Sequence, residues 1–303
     1  MPNNYLIAVP LDEELASFIG KKGSANSIVF YNRKADGDII VSVAPSSIEE
    51  KIYALAETML IAEKIVISTK RIDKAFGEVL VACSFADKHV IFTDDNDVSQ
   101  MIKELGIRSF EVVGRDGILS AITRRDEAAA ESGRTRVDID KSFPVKGVGT
   151  VLLGIVTKGS VKVHDTLYDG KGKEISIKSI QMQDENVDIG PTNGRVGLSV
   201  KGADYEEVEK GNVLGNSQIK KTKQIEVELI SNKFTNEEIR KGSRYGFVSN
   251  FAYADVTVEA MGDGTATLRL EKEVQLEPGD HFMLLRSRTP RIFAGGKVKG
   301  LNL

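Results

Sequence analysis

The sequence contains little of what disulfide proteins and metal centres are built from. Its single cysteine, Cys83, excludes an intramolecular disulfide and any metal site made of several cysteines. One cysteine is also typical of proteins from a reducing compartment. The three histidines, His89, His164 and His281, stand far apart and lack the spacing of metal ligands. No metal site is therefore predicted.

Long apolar runs and a leader segment are missing as well. The longest apolar runs, such as Ile65–Ile67 and Val79–Ala82, fall far short of the ~18 residues that a membrane-spanning helix needs. Met1 is not followed by the basic and then apolar regions of a secretory signal. We therefore expect a cytoplasmic protein that does not associate with membranes.

The overall balance of the chain indicates a folded protein of several domains. Of its 303 residues, 41% are hydrophobic, and 41 Lys and Arg nearly balance 44 Asp and Glu, which gives a formal net charge of −3. A disordered chain would have few apolar residues and a large net charge, so disorder is excluded. At ~100–200 residues per domain, this length predicts two or three domains. The net charge argues against a protein that is basic all over, but it does not exclude local basic patches.

The first part of the chain alternates strands with helices. Residues 47–64 and 98–105 carry apolar residues at helical spacing. Six short segments are apolar at consecutive positions, as strands buried on both faces are. These segments are Tyr5–Val9, Ile28–Tyr31, Ile39–Val43, Ile65–Ser68, Val90–Thr93 and Phe110–Val113. The pattern predicts an α/β domain with a mainly parallel sheet, which ends in a helix terminus and linker over residues 124–136.

The rest of the chain shows no convincing helical period. Short alternating runs punctuated by Gly or Asp begin at Val137 and are typical of β-barrels or sandwiches. A boundary near Lys220–Lys223 separates two such units. The predicted domains are residues 1–134, 135–220 and 221–303, so the fold class is multidomain, α/β plus all-β.

Several stretches of the sequence resemble one protein family. They are Lys146–Val151, Gly154 and Lys158–Asp165, then Ile177–Met182, Arg195–Leu198 and Lys210–Leu214, and finally Arg288–Val298. In this order and spacing they resemble barrels 2 and 3 of the translational GTPases that include elongation factor Tu. They are most similar to the selenocysteine-specific elongation factors and their archaeal paralogues, which Ile19–Ser24 and Ile28–Asn32 also resemble. The resemblance implies a P-loop-GTPase-like α/β domain followed by two β-barrels.

The motifs that bind a nucleotide in such GTPases are absent at the matching positions. A phosphate-binding loop, Gly-x-x-x-x-Gly-Lys-[Ser/Thr], would follow the first strand. Instead, Pro10 has no N–H to donate, and Asp12 and Glu13 place negative charge where phosphates would lie. After Val90–Phe92, Asp94 and Asp97 remain, but the Asn-Lys pair of the guanine-reading motif is missing.

Two further segments bear on the nucleotide site. Ala44–Ser47 stands where the magnesium-side Asp-x-x-Gly is expected, and Gly20–Ser24 follows the first helix, so it is interpreted as a helix end with a basic turn. We therefore predict a degenerate nucleotide site, formed by Pro10, Asp12, Glu13, Asp94 and Asp97, with neither GTP nor Mg²⁺ as cofactor. No catalytic constellation is found in the sequence, so the chain is predicted not to act as an enzyme.

The resemblance also implies a site for the 3′ end of aminoacyl-tRNA in the second domain. The matching residues are Phe143, Val145, Val151, Gln181, Gln183, Arg195 and Gly197. A purine needs an apolar slot for its face and amide or Arg donors for its edges and phosphate. The alternative is that Val145 and Val151 pack in the barrel core and do not line a binding site. Many family members carry an acid at the position of Gln181, a basic residue at that of Asp184 and an Asn at that of Arg195.

A basic stretch in the third domain is the candidate for contacts to the tRNA backbone. Arg286, Arg288, Arg291, Lys297 and Lys299 fall within residues 286–303, which contain no Asp or Glu. Duplex RNA is bound largely through phosphate and 2′-OH contacts, which clustered cations suit. The alternative is that these five cations belong to a solvated surface that binds no RNA.

Together these residues predict an elongation-factor-like translation protein. It would bind aminoacyl-tRNA through its two β-barrels without ordinary GTP binding or hydrolysis, and the ribosome or other translation factors would be further partners. Two alternatives stay open. One is a non-catalytic module that docks on a translation or tRNA-processing assembly, and the other is a translational GTPase with an atypical nucleotide site.

Overall fold

The computed structural model describes residues 3–35, 37–124 and 133–302; most of the predicted linker lies outside them. The N-terminal domain, domain 1, has seven strands and five helices. Its strands are β1 (Asn3–Ala8), β2 (Lys21–Ala25), β3 (Ile28–Ala35), β4 (Asp38–Pro45), β5 (Lys64–Ile67), β6 (His89–Thr93) and β7 (Phe110–Val113). Its helices are α1 (Glu13–Ile19), α2 (Ile52–Ile61), α3 (Lys74–Ala86), α4 (Ser99–Leu105) and α5 (Ile118–Thr123).

Domain 1 is built on one sheet in the order β2-β3-β4-β1-β5-β6-β7. The five strands from β4 to β7 run parallel, whereas β2 and β3 are antiparallel additions at one edge. All six predicted strands are present. The predicted basic turn after α1 is wrong, because Lys21–Ala25 form the edge strand β2. Every residue of β2 is exposed, so this strand lacks the alternation of apolar and polar residues from which a strand can be predicted.

The second domain, barrel 2, is an antiparallel β-barrel. Its strands are β8 (Arg136–Val145), β9 (Gly149–Lys158), β10 (Ser160–Lys162), β11 (Thr166–Tyr168), β12 (Glu174–Met182), β13 (Glu185–Val187), β14 (Ile189–Pro191), β15 (Arg195–Lys201) and β16 (Val213–Gly215). The sheet order is β11-β16-β8-β9-β15-β12-β13, and a β11–β12 pairing closes the ring. Gly147 and Gly149 have φ of 81° and 99° in the β8–β9 hairpin, a backbone region that favours glycine.

The third domain, barrel 3, is a closed six-stranded barrel. Its strands are β17 (Lys221–Ser231), β18 (Arg244–Ser249), β19 (Ala252–Gly262), β20 (Thr265–Gln275), β21 (His281–Leu285) and β22 (Ile292–Asn302). They close in the order β17-β20-β19-β18-β21-β22. Phe247 and Phe282 stack inside it with ring centroids 5.3 Å apart. The architecture, an α/β domain followed by β-barrels, is as predicted.

Domain 1 packs on barrel 3 through α2 and α3, which lie against β18, β21 and β22. Arg291 crosses this interface and donates from Nε to Glu78 at 2.9 Å, and Lys297 reaches Asp87 at 2.9 Å. Gly295 is required here, because a Cβ at this position would lie 2.5 Å from the Phe85 ring. The interface is therefore fixed both by ion pairs and by shape.

Buried charges join the two barrels. The Arg136 side chain is only 3% exposed and forms ion pairs with Asp138 at 3.0 Å and Asp280 at 2.7 Å. These carboxylates raise the pKa of Arg136, and they compensate for its loss of water. Gln275 adds hydrogen bonds to the backbone of Val213 in barrel 2.

Candidate functional site

The candidate site is a cleft between domain 1 and barrel 2, with a volume of about 610 Å³. All seven residues predicted for the aminoacyl-tRNA 3′ end line it. They are Phe143, Val145, Val151, Gln181, Gln183, Arg195 and Gly197. Four strands and one turn of barrel 2 bring these residues together, although they are spread over 55 positions of the sequence.

The β8–β9 hairpin supplies the apolar wall of the cleft. Side chains alternate along β9, so that Val151 and Leu153 face the cleft while Leu152 is fully buried in the barrel. Phe143 pairs with Val151 across the ladder. Val145 and Val151 are half-buried residues of the cleft wall rather than core residues. The alternative that placed both valines in the barrel core is therefore wrong.

Gln181 and Gln183 lie on the opposite side, at the end of β12. Gln181 donates to Asn186 at 3.1 Å and is exposed. Gln183 and Asp184 form the turn to β13, with φ of 49° and 64°. Gly197 pairs with Gln181, and a Cβ there would lie in ordinary van der Waals contact with Leu153, at 3.4 Å. A small side chain would therefore fit at this position.

Arg195 closes the cleft against domain 1. Its Nη2 donates to Ser24 Oγ at 2.8 Å, and its guanidinium lies over the Phe30 ring, 3.7 Å from the centroid. Burial lowers the pKa of Arg195, opposed by the nearby carboxylates of Asp140 and Asp184. A half-buried cation therefore stands where the two domains meet.

Domain 1 contributes a wall of the cleft that was not predicted from the sequence. Gly23 and Ser24 of β2 and Asn32 of β3 line the cleft, as does Asp184 of barrel 2. The segment Gly20–Ser24 was interpreted as a helix end with a basic turn, and nothing in its composition points to a partner 171 positions away. Lys210 holds the same two domains together through Glu57 at 2.8 Å and Ser27 at 3.0 Å.

The predicted degenerate nucleotide site lies elsewhere, at the carboxyl ends of β1, β5 and β6. Asp12 caps α1 by accepting from the Leu15 N–H at 2.9 Å. Glu14 accepts from Arg115 at 3.0 Å and pairs with Lys70 at 3.5 Å, and the bond from Arg115 is the main reason that its pKa is lowered. The space left in this crevice is about 40 Å³.

The other residues predicted for this region also bond within the chain. Pro10 is buried directly after β1. Glu13 pairs with Lys22 of β2 at 2.6 Å. Asp94 lines the crevice, and Asp97 accepts from the Ser99 N–H at 2.9 Å at the start of α4.

The five cations predicted to contact the tRNA backbone do not form one surface. Arg291 and Lys297 lie in the interface with domain 1 described above. Arg286 is 9% exposed, pairs with Glu237 at 2.8 Å and stacks on Phe293. Arg288 is exposed and pairs with the same glutamate at 2.6 Å. Lys299 is exposed.

Within residues 3–35, 37–124 and 133–302, no group of three or more His, Cys, Asp or Glu is placed to hold a metal ion. No helix in these ranges is long and apolar enough to cross a membrane.

Comparison with known proteins gives matches to translation factors. Residues 149–215 match the family model of elongation factor Tu domain 2. An uncharacterized protein of Methanocaldococcus jannaschii is 28% identical over 94% of this chain and 96% of its own length. The selenocysteine-specific elongation factor of Haemophilus influenzae is 29% identical over 55% of this chain, but only 28% of its own length is matched.

Solved structures share the fold across nearly the whole chain. The elongation factor SelB of Methanococcus maripaludis, in complex with the GTP analogue GppNHp, matches with a TM-score of 0.80 and 18% identity, covering 99% of this chain and 80% of that one. A bacterial selenocysteine-specific elongation factor matches with a TM-score of 0.80 and 17% identity, covering 97% and 58%. Both the sequence and the fold therefore relate the chain to this group of proteins.

Proposed function

Because this chain is a relative of the translational GTPase superfamily, we propose that it binds the aminoacylated 3′ end of a tRNA in the cleft between domain 1 and barrel 2. Binding needs no GTP. Aminoacyl-tRNA is then the main partner, and the ribosome or another translation factor receives it.

One observation carries this proposal: the seven residues that the resemblance implies for the 3′ end line a single cleft of about 610 Å³. Phe143, Val145 and Val151 offer an apolar surface to the face of a base, and Gln181 and Arg195 offer donors to its edge, ribose or phosphate. The volume falls within the roughly 300–1,000 Å³ of small-molecule sites. It therefore accommodates a terminal nucleoside with its esterified amino acid.

The state of the crevice in domain 1 supports independence from GTP. Its roughly 40 Å³ is far below the roughly 300 Å³ at the lower end of ligand pockets. The carboxylates of Asp12 and Asp94 line it and would repel phosphate groups, while its two cations, Lys70 and Arg115, are paired with Glu14. Domain 1 meets barrel 2 through direct bonds, such as Lys210 to Glu57, so the cleft keeps both walls without help from a nucleotide.

Filter binding with one tRNA, charged and uncharged, in nucleotide-free buffer tests the proposal. We expect the charged form to bind at least about 10-fold more tightly, because the ester adds contacts in a desolvated cleft. Gln181→Ala should weaken binding of the charged form, whereas the matched variant Gln100→Ala on the exposed face of α4 should not. Equal binding of charged and uncharged tRNA would reject the carrier role in favour of the docking module.

A further inference from the structure

The charges of the cleft restrict what can be esterified to the tRNA. Among the described residues that line it, the charged ones are Arg195 and Asp184, one of each sign. The rest of the lining is apolar, amide or hydroxyl. A ligand that matches this cleft therefore brings one cation and one anion of its own.

Arg195 has hydrogen-bonding capacity to spare. A guanidinium carries five N–H donors. In the described part of the chain, Arg195 donates one hydrogen bond, to Ser24, while one of its faces is covered by Phe30. Among the described residues, its remaining donors have no protein acceptor. Gln183 lines the same cleft, and its side-chain nitrogen also has no partner among the described residues.

Resting on the proposed function, we propose that the cargo is a tRNA esterified with an acidic amino acid, aspartate or glutamate. Arg195 binds the side-chain carboxylate through its planar fork, assisted by Gln183. The α-ammonium of the ester faces Asp184. A glutamyl or aspartyl ester brings one charge of each sign, which matches the two charged residues of the lining, whereas an amide side chain offers Arg195 no charge-assisted bond.

The position of Arg195 favours a side-chain carboxylate over an RNA phosphate. Ser24 and Phe30 hold the guanidinium at the end of the cleft that domain 1 closes. In this proposal the RNA chain leaves the cleft at the end away from domain 1, so that its phosphates lie apart from Arg195. The innermost part of the ligand is therefore the amino-acid side chain.

The experiment uses one tRNA transcript charged in turn with Asp, Asn, Glu and Gln, together with the uncharged transcript. Filter binding to the full chain should show at least about 10-fold tighter binding of the acid than of its amide isostere, because a charge-assisted bidentate bond is lost in the amide. Arg195→Gln should bring this ratio to about one, and Arg195→Lys should restore part of it. Thermal unfolding of both variants checks that the fold is kept.

Each alternative result has a distinct meaning. Equal affinity for acid and amide esters in the unaltered protein overturns the acidic cargo, while the proposed function survives if both exceed uncharged tRNA. An equal loss of affinity for all five RNAs in Arg195→Gln also overturns the acidic cargo and assigns Arg195 to a phosphate. If charging makes no difference at all, the proposed function itself fails.

Discussion

Domain 1 borders two hollows that differ in what occupies them. The crevice at the carboxyl ends of β1, β5 and β6 contains the chain's own Asp12, Glu14 and Arg115, bonded to one another or to the backbone. The cleft against barrel 2 is more than ten times larger. The comparison teaches that a hollow within one domain can be closed by the side chains of that domain, while a hollow between two domains stays open.

The largest effect on stability is expected where domain 1 is attached to barrel 3. The cleft depends on this attachment because domain 1 forms one of its walls, whereas the crevice lies wholly within domain 1. Arg291→Ala leaves the buried carboxylate of Glu78, 7% exposed, without its cation. We expect the free energy of unfolding to fall by about 3 kcal/mol in urea titrations. Arg288→Ala removes an exposed pair with Glu237 and should cost less than about 1 kcal/mol. Equal losses in the two variants would contradict the structure.

A charge placed in the wall of the cleft tests its binding role. Val151→Asp introduces a carboxylate into an apolar, half-buried position, where it repels RNA phosphates and resists desolvation. Affinity for charged tRNA should fall about 100-fold in filter binding. Val112→Asp is the matched control, since Val112 is 52% exposed on β7. If the two variants retain the same affinity, the cleft does not bind RNA.

Substitutions in the crevice should lower the free energy of unfolding but leave the affinity for charged tRNA unchanged. Asp12→Ala removes the cap of α1 and should lower the free energy of unfolding by about 1 kcal/mol. Asp116→Ala, at an exposed position near the same crevice, should change it by less than about 0.5 kcal/mol. Charged tRNA should bind both variants as it binds the unaltered protein. A loss of tRNA affinity in Asp12→Ala would make the crevice part of the RNA site.

The smallest effect is expected from the nucleotide. Isothermal titration with Mg²⁺·GTP should give no binding heat, and adding Mg²⁺·GTP should change the affinity for charged tRNA by less than about twofold, because a ligand without differential affinity shifts no equilibrium. Micromolar binding with measurable turnover would support the alternative of a GTPase with an atypical site.

The elements of the fold were largely predictable, because buried strands and amphipathic helices leave periodic patterns. The boundaries of the helices were less predictable: helical spacing begins at residue 47, but α2 begins only at Ile52, and the Glu50 N–H before it bonds Ser47 Oγ at 3.2 Å. Strand β2 was missed because an exposed edge has no apolar side to reveal it.

The candidate site was predictable on one side alone. The resemblance implied the residues of barrel 2, and strand alternation and pairing position them. The domain 1 wall depends on a contact between Ser24 and Arg195, 171 positions apart. Likewise, the acid-free run of barrel 3 gave no sign that Arg291 pairs with Glu78, 213 positions away. Composition reports the charge of a segment but not its partner.

The three interfaces between the domains are each closed by side chains of the chain itself, Lys210 with Glu57, Arg291 with Glu78 and Arg136 with Asp280. In the proposed function, such a carrier loads and unloads at equilibrium. The direction of delivery then follows from how strongly the donor and the receiver hold the same RNA, and the rate is limited by spontaneous dissociation. Transfer of the RNA would then depend on the concentration of charged tRNA and not on the ratio of GTP to GDP in the cell.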